Sequence, residues 1–228
     1  MNAPPVLLLH GLATSAARTW GDNGWIDLLR DAGREVLAID LMGHGNAPKP
    51  HNPEAYDQLE QAVLDQLPDV PVDAIGFSLG ARTILALAAR HPERFNKIVT
   101  AGVGRSLFES DPERAKSIQR GIKGDPDDED PSSQYFAQLV NSPEVDTEAL
   151  IALLHRKNAW PVTKENLRNI TNEALVVIGD GDWAGPGDPL VEALPNARLV
   201  VLRRADHYST PKDFKFIDAA LNFLGAGT

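Results

Sequence analysis

Ser78 stands in the run Gly76-Phe77-Ser78-Leu79-Gly80, where an apolar stretch passes into a helical pattern. A serine hydroxyl is a poor nucleophile at neutral pH; it becomes a good one when a base, an orienting acid and oxyanion donors surround it. Gly-x-Ser-x-Gly at a strand-to-helix junction is the setting for such a nucleophile, because small residues on either side let neighbouring backbone approach a sharp turn. The same residues would also suit a serine N-cap between glycines. The junction favours the nucleophile.

Six histidines compete for the role of base. His207 follows the apolar run Leu199–Leu202 by a short loop and precedes the last helical pattern, so in a parallel sheet it emerges at the C-terminal strand edge that carries Ser78. His44, in Gly-His-Gly, could line a cleft, whereas His51, His91 and His155 occupy positions with no evident route to the serine. For the orienting acid, Leu175–Gly179 opens into Asp180-Gly181-Asp182. Asp182 is preferred because Gly181 gives the chain room to turn the second carboxylate inward, and Asp180 remains a competitor. The chain order Ser78, Asp182, His207 belongs to one scaffold and differs from the two common protease orders. Oxyanion donors are expected from the backbone N–H of Leu79, at a helix N-terminus, and of Leu12, in the loop His10-Gly11-Leu12.

These residues must be positioned by a scaffold, and the chain supplies an alternating one. Six short apolar runs, Val6–Leu9, Val36–Ile39, Val72–Gly76, Ile98–Val103, Leu175–Gly179 and Leu199–Leu202, are too continuous for half-exposed strands and suit a sheet buried on both faces. Helical periodicity separates most of them, ending at Gly33, Pro68 and Pro92, and a last helix is expected over Phe214–Leu224. This is an α/β pattern: a mostly parallel sheet with helices on both faces. It breaks once. Residues 105–170 hold no convincing strand, only helical stretches near Pro112–Arg120, Ser132–Val140, Thr147–Arg156 and Thr163–Ile170, so the expected organisation is a core of 1–104 and 171–228 with a helical insertion at 105–170.

Composition narrows the function. A net charge of −10 over 228 residues argues against a nucleic-acid partner. No apolar stretch approaches the ~18 residues of a membrane span, and the N-terminus lacks the basic region and long apolar core of a signal peptide, so the expected location is cytoplasmic. Absence of cysteine removes thiolate chemistry. The acidic run at 124–131 reads as a solvated, mobile loop, since Asp130 stands where a calcium loop needs its glycine. No metal and no cofactor are expected, and the oligomeric state is left open.

The segments LLLHGLATS, AIDLMGHGNAP, GFSLGAR, VIGDGDW and ADHYS, in that order, resemble the landmarks of the α/β-hydrolase superfamily. The resemblance implies a serine–aspartate–histidine triad and makes the insertion a cap over the pocket. It also implies a shortened sheet, because only five residues precede Val6 and the antiparallel hairpin of many relatives has no counterpart. Serine at position 78 counts against epoxide hydrolases and haloalkane dehalogenases, and Leu12-Ala13 against the glycine-run lipases. Arginine at position 82 also resembles a lyase of this family that binds a carboxylated substrate, which makes Arg82, with Arg105 at the base of the insertion, candidate substrate-binding residues. The leading expectation is a serine hydrolase taking a small-molecule acyl substrate, a carboxylic ester or thioester of modest size. The alternatives are a carbon–carbon hydrolase or lyase acting on a carboxylated substrate, and a hydrolase-like receptor for a small ligand.

Overall fold

The computed structural model describes residues 3–227. Its centre is a six-stranded sheet of β1 (Val6–Leu9), β2 (Val36–Ile39), β3 (Val72–Phe77), β4 (Phe95–Ala101), β5 (Glu173–Gly179) and β6 (Ala197–Leu202). The spatial order is β2-β1-β3-β4-β5-β6, and every neighbouring pair is parallel. β1 is fully buried and β3 is buried along its whole length, as continuous apolar runs require. β2 and β6 are the sheet edges and are only partly covered, so their apolar runs reflect packing on fewer neighbours.

Alternation along the strands sends side chains to two cores. Leu7, Leu9, Ala74, Ile98 and Val176 face one side, against α2 (Leu59–Leu64), α3 (Leu79–Arg90) and α7 (Asp188–Ala193). Val6, Leu8, Ile75, Val99 and Val177 face the other, against α1 (Trp25–Asp31) and α8 (Phe214–Leu224). Each fully buried Leu or Ile contributes about 1.5–3 kcal/mol, so both layers fix the sheet that carries the site.

Between β4 and β5 run α4 (Pro112–Ile122), α5 (Pro131–Leu139) and α6 (Thr147–Leu154). They share a small core of Ile122, Phe136 and Leu150 with Ala13 from the loop after β1. Each begins on an aspartate whose carboxylate accepts a backbone N–H: Asp111 from Arg114, Asp130 from Ser132, Asp146 from Ala149. The acidic run at 124–131 is largely exposed, yet its end is an N-cap, so aspartates there do structural work as well as meeting solvent.

Thr163–Ile170 does not form the expected helix. Thr163 and Asn166 exchange side-chain-to-backbone hydrogen bonds (2.8 and 3.2 Å), a local alternative to helical winding, and only the single 3-10 turn Asn166–Asn169 follows. No helix among the described residues is long and apolar enough to cross a membrane.

Candidate active site

The turn from β3 into α3 places Ser78 at φ +52°, ψ −109°, an unusual conformation for a non-glycine residue. Its side chain makes no cap bond to α3, so the N-cap alternative is not what the hydroxyl does. The flanking glycines are required by close packing. A Cβ on Gly80 would lie 2.1 Å from the Leu9 carbonyl oxygen, and one on Gly76 would lie 2.7 Å from the backbone nitrogen of Ala81. Backbone bonds hold the turn: Ser78 N–H donates to Ala101 O (2.8 Å) and Gly80 N–H to His10 O (2.9 Å).

Ser78 Oγ lies 3.0 Å from His207 Nε2, and His207 Nδ1 lies 3.0 Å from both carboxylate oxygens of Asp182. With Nδ1–H donating to the carboxylate, Nε2 is left to accept the serine proton. His207 and Asp182 are buried, whereas Asp180 is exposed. Asp180 instead accepts the N–H of Arg204 (2.8 Å), which pins the β6 loop at its positive-φ residue. Asp182 Oδ1 also accepts the N–H of Ala184 (2.8 Å), fixing the carboxylate before it meets His207. The imidazole is packed against Phe77 and Trp183, with ring centroids 4.9 and 4.5 Å away.

Leu12 and Leu79 both border the space beside Ser78. The Leu12 loop is shaped by Ala13 at φ +59° and by His10, whose Nδ1–H donates to Gly11 O (2.7 Å) while Nε2 accepts Leu41 N–H (3.0 Å). Burial pushes the His10 imidazole down to about 4 and, beside it, that of His44 to about 3, so both are neutral at pH 7. His44 is buried against His10, with ring centroids 5.0 Å apart, and does not border the space beside Ser78. In the sequence His10 stands out only as the start of the loop His10-Gly11-Leu12; its role depends on a partner 31 residues away in the chain, Leu41, and no local signal marks it.

Two cavities meet at Ser78. The larger, about 450 Å³, is bordered by Leu79, Arg82, Arg114, Ile118 and Leu153; the smaller, about 280 Å³, by Asn23, Phe77, Tyr135, His207 and Tyr208. Arg82 does face the larger cavity, donating to Ser106 O (2.7 Å), and burial draws its guanidinium below the usual arginine range. Arg105 is not brought to the site: its side chain is half exposed and pairs with Glu109 at 3.4 Å, one helical turn on. Arg114 takes the place expected for it, stacked over Trp183 at 5.4 Å and bonded to Ser132. Its helix was legible but not the face it presents. Among the described residues, no group of three or more His, Asp or Glu side chains could hold a metal.

A parallel sheet whose central strand turns through a strained serine into a helix, facing a histidine and an aspartate from later strand ends, defines an α/β hydrolase. The family model described as alpha/beta hydrolase fold matches residues 4–173, and the chain belongs to that family. Over 231 residues it is 30% identical to a pimeloyl-[acyl-carrier protein] methyl ester esterase of Neisseria meningitidis, covering 89% of this chain and 70% of that one. It is 25% identical to a 2-hydroxy-6-oxononadienedioate/2-hydroxy-6-oxononatrienedioate hydrolase of Cupriavidus pinatubonensis, covering 98% and 88% respectively. The enol-lactonase of Burkholderia xenovorans superposes with a TM-score of 0.73 at 25% identity, covering 99% of this chain and 92% of that one.

Proposed function

We propose that this α/β hydrolase is a serine esterase or thioesterase that cleaves a small acyl substrate through an acyl-enzyme on Ser78. The observation that carries the reading is the continuous hydrogen-bonded chain Asp182–His207–Ser78, all contacts 3.0 Å, ending on a serine free of any capping duty. Ser78 Oγ attacks the acyl carbon as His207 takes its proton; His207 then protonates the leaving group and later activates water. Asp182 orients the imidazole and stabilises the imidazolium. Leu12 and Leu79 N–H groups receive the oxyanion, each such donor being worth ~2.7–4 kcal/mol in the transition state. Residues 105–170 serve as the cap, with Arg114, Ile118 and Leu153 over the larger cavity. The reaction as written needs no metal or organic cofactor.

The relatives include an esterase, a lactonase and a hydrolase of an oxo-dienedioate, which supports hydrolysis more strongly than any one bond type. One observation favours a second reading, cleavage of a carbon–carbon bond in a carboxylated substrate: the Arg82 guanidinium is desolvated beside Ser78 and, among the described residues, bonds only to Ser106.

The test is fluorophosphonate labelling of the wild type, Ser78→Ala and His207→Ala, followed by p-nitrophenyl esters of increasing chain length. Labelling lost in both variants, with ester turnover, is expected. A wild type that fails to label refutes the nucleophile. Labelling with negligible turnover of neutral esters, and strong sensitivity to Arg82→Ala on carboxylated substrates, moves the assignment to the second reading.

A further inference from the structure

Resting on the acyl-enzyme reading, we propose that the two cavities meeting at Ser78 fix the polarity of the substrate. The acyl half enters the larger cavity, and the leaving half, a neutral alcohol or thiol bearing hydroxyl or amide groups, enters the smaller one.

Both cavities include Leu12 and Ser78, but only the smaller is lined by His207, and only the larger by Leu79. The chemistry distributes the two halves between them. As the Ser78 Oγ–C bond forms and the tetrahedral intermediate collapses, the C–O or C–S bond to the leaving group breaks. The proton that His207 Nε2 took from Ser78 passes to the departing oxygen or sulfur. That atom must therefore sit within hydrogen-bond reach of Nε2, on the side of the cavity that His207 borders. The acyl carbon stays bonded to Ser78 Oγ, and its chain runs the other way. Water later occupies the vacated smaller cavity, gives a proton to His207 and an oxygen to the acyl carbon, and releases the acid with Ser78 reprotonated.

The walls match that division. Around the larger cavity Ala115, Ile118, Leu153, Leu154 and Ala159 offer hydrocarbon to an acyl chain, while its charged walls, Arg82, Arg114 and Arg156 with Glu109 and Asp111, are of both signs. The smaller cavity sets polar groups opposite the rings of Tyr135 and Tyr208, which stack at 3.9 Å. Asn23 spends its amide N–H on Thr19 O (2.9 Å) and turns its amide oxygen to no protein donor among the described residues. Asp22 and Lys212 stand exposed at the mouth with opposite charges, and Arg18 is met by Glu144 at 3.5 Å. Charges that cancel, beside donors and acceptors, suit a neutral polar group and not an ionised one.

The test uses two esters of reversed polarity, 1-hexanoylglycerol and hexyl glycerate, on full-length protein already shown to label at Ser78. A kcat/KM at least ~10-fold higher for 1-hexanoylglycerol is expected, given the cost of placing an alkyl chain against polar walls. Asn23→Leu should lower that value by ~5-fold, the worth of about one hydrogen bond. It should leave unchanged the deacylation rate of the hexanoyl-enzyme formed from p-nitrophenyl hexanoate, because the leaving group has then gone. Ile118→Trp, in contrast, should shorten the longest acyl chain accepted. If Asn23→Leu does not fold, Lys212→Met at the exposed mouth reads the same separation. Equal or reversed preference between the two esters overturns the proposal, as does a leaving-side variant that slows deacylation as much as acylation. Failure of the wild type to label sinks the hydrolase reading itself, and this proposal with it.

Discussion

Replacing each of the two neighbouring aspartates by asparagine separates the acid that orients His207 from the one that holds a loop. Asp182 is buried, with both carboxylate oxygens 3.0 Å from His207 Nδ1 and one further fixed by Ala184 N–H. In Asp182→Asn the amide oxygen can keep the Ala184 bond, which turns the NH2 group toward Nδ1 and favours the tautomer protonated on Nε2. That tautomer cannot accept the serine proton. A fall in kcat of ~10⁴-fold follows from the corresponding change in serine proteases, equivalent to ~5 kcal/mol at ~1.4 kcal/mol per tenfold. In Asp180→Asn the amide oxygen can still accept Arg204 N–H, so the change costs a fraction of one exposed charge-assisted bond and kcat stays within ~10-fold of wild type. The assay is turnover of the best p-nitrophenyl ester together with the rate of fluorophosphonate labelling, both at pH 8, with circular dichroism to establish that each variant folds. An Asp180→Asn enzyme slower than Asp182→Asn would refute the reasoning, because the geometry then would not decide which carboxylate acts.

Gly80→Ala would drive a Cβ to 2.1 Å from Leu9 O and 2.7 Å from His10 O, both backbone, so α3 must shift; kcat is expected to fall by ~10²-fold or more, with a lower Tm. Ser78→Gly should be more stable than Ser78→Ala by up to ~2 kcal/mol, since only glycine relieves the positive φ, less its greater unfolded-state entropy; equal urea midpoints would count against strain. Asp73 is buried, ion-paired with Arg34 and bonded to Asn96 Nδ2 (2.7 Å) and Lys97 N–H (3.0 Å), so Asp73→Ala should cost ~3–5 kcal/mol in urea unfolding. His10 and His44 titrate at about 4 and 3 in the folded chain against 6.5 unfolded, so the stability they carry is fully present above pH 6.5 and is lost as pH falls toward 4 and then 3. Each contributes a slope of up to ~1.4 kcal/mol per pH unit in that window, and a urea midpoint that stays flat between pH 6.5 and 4.5 would contradict it.

What could be read from the residues follows from the range of the interactions involved. β1 and β2 lie where their apolar runs were drawn, because a strand of four in a parallel sheet needs little more than continuous apolar side chains. Ser78, Asp182 and His207 could be nominated because each directly follows, or nearly follows, the end of such a strand, and parallel strands deliver their ends to one edge. The helix expected over Thr163–Ile170 failed because Thr163 and Asn166 divert the backbone bonds locally. Arg105 and Arg114 show the limit at the next level. Arg105 opens the short 3-10 turn Arg105–Leu107 whereas Arg114 lies in α4, and Arg114 borders the cavity because of how α4 packs on α5 and α6, a tertiary fact with no periodicity of its own.

The same limit explains why the turn at Ser78 is more informative than its five residues. A non-glycine residue at φ +52° costs ~1–3 kcal/mol and persists only where its surroundings over-determine it. Here the surroundings are the other elements of the candidate site. Ser78 N–H is bound to the end of β4, Gly80 N–H to the carbonyl of His10, and Arg82 N–H to the Ser78 carbonyl (3.0 Å). Through His10 the elbow is joined to the loop that offers Leu12, and His10 is in turn held by Leu41 beyond β2. The backbone of Ser78 is thus held by bonds to two strand ends, those of β4 and β1, with the His10 side chain adding a link to the segment after β2. The Ser78 turn and the loop after β1 are thereby joined in one unit, and the glycines at 76 and 80 are what allow that unit to close.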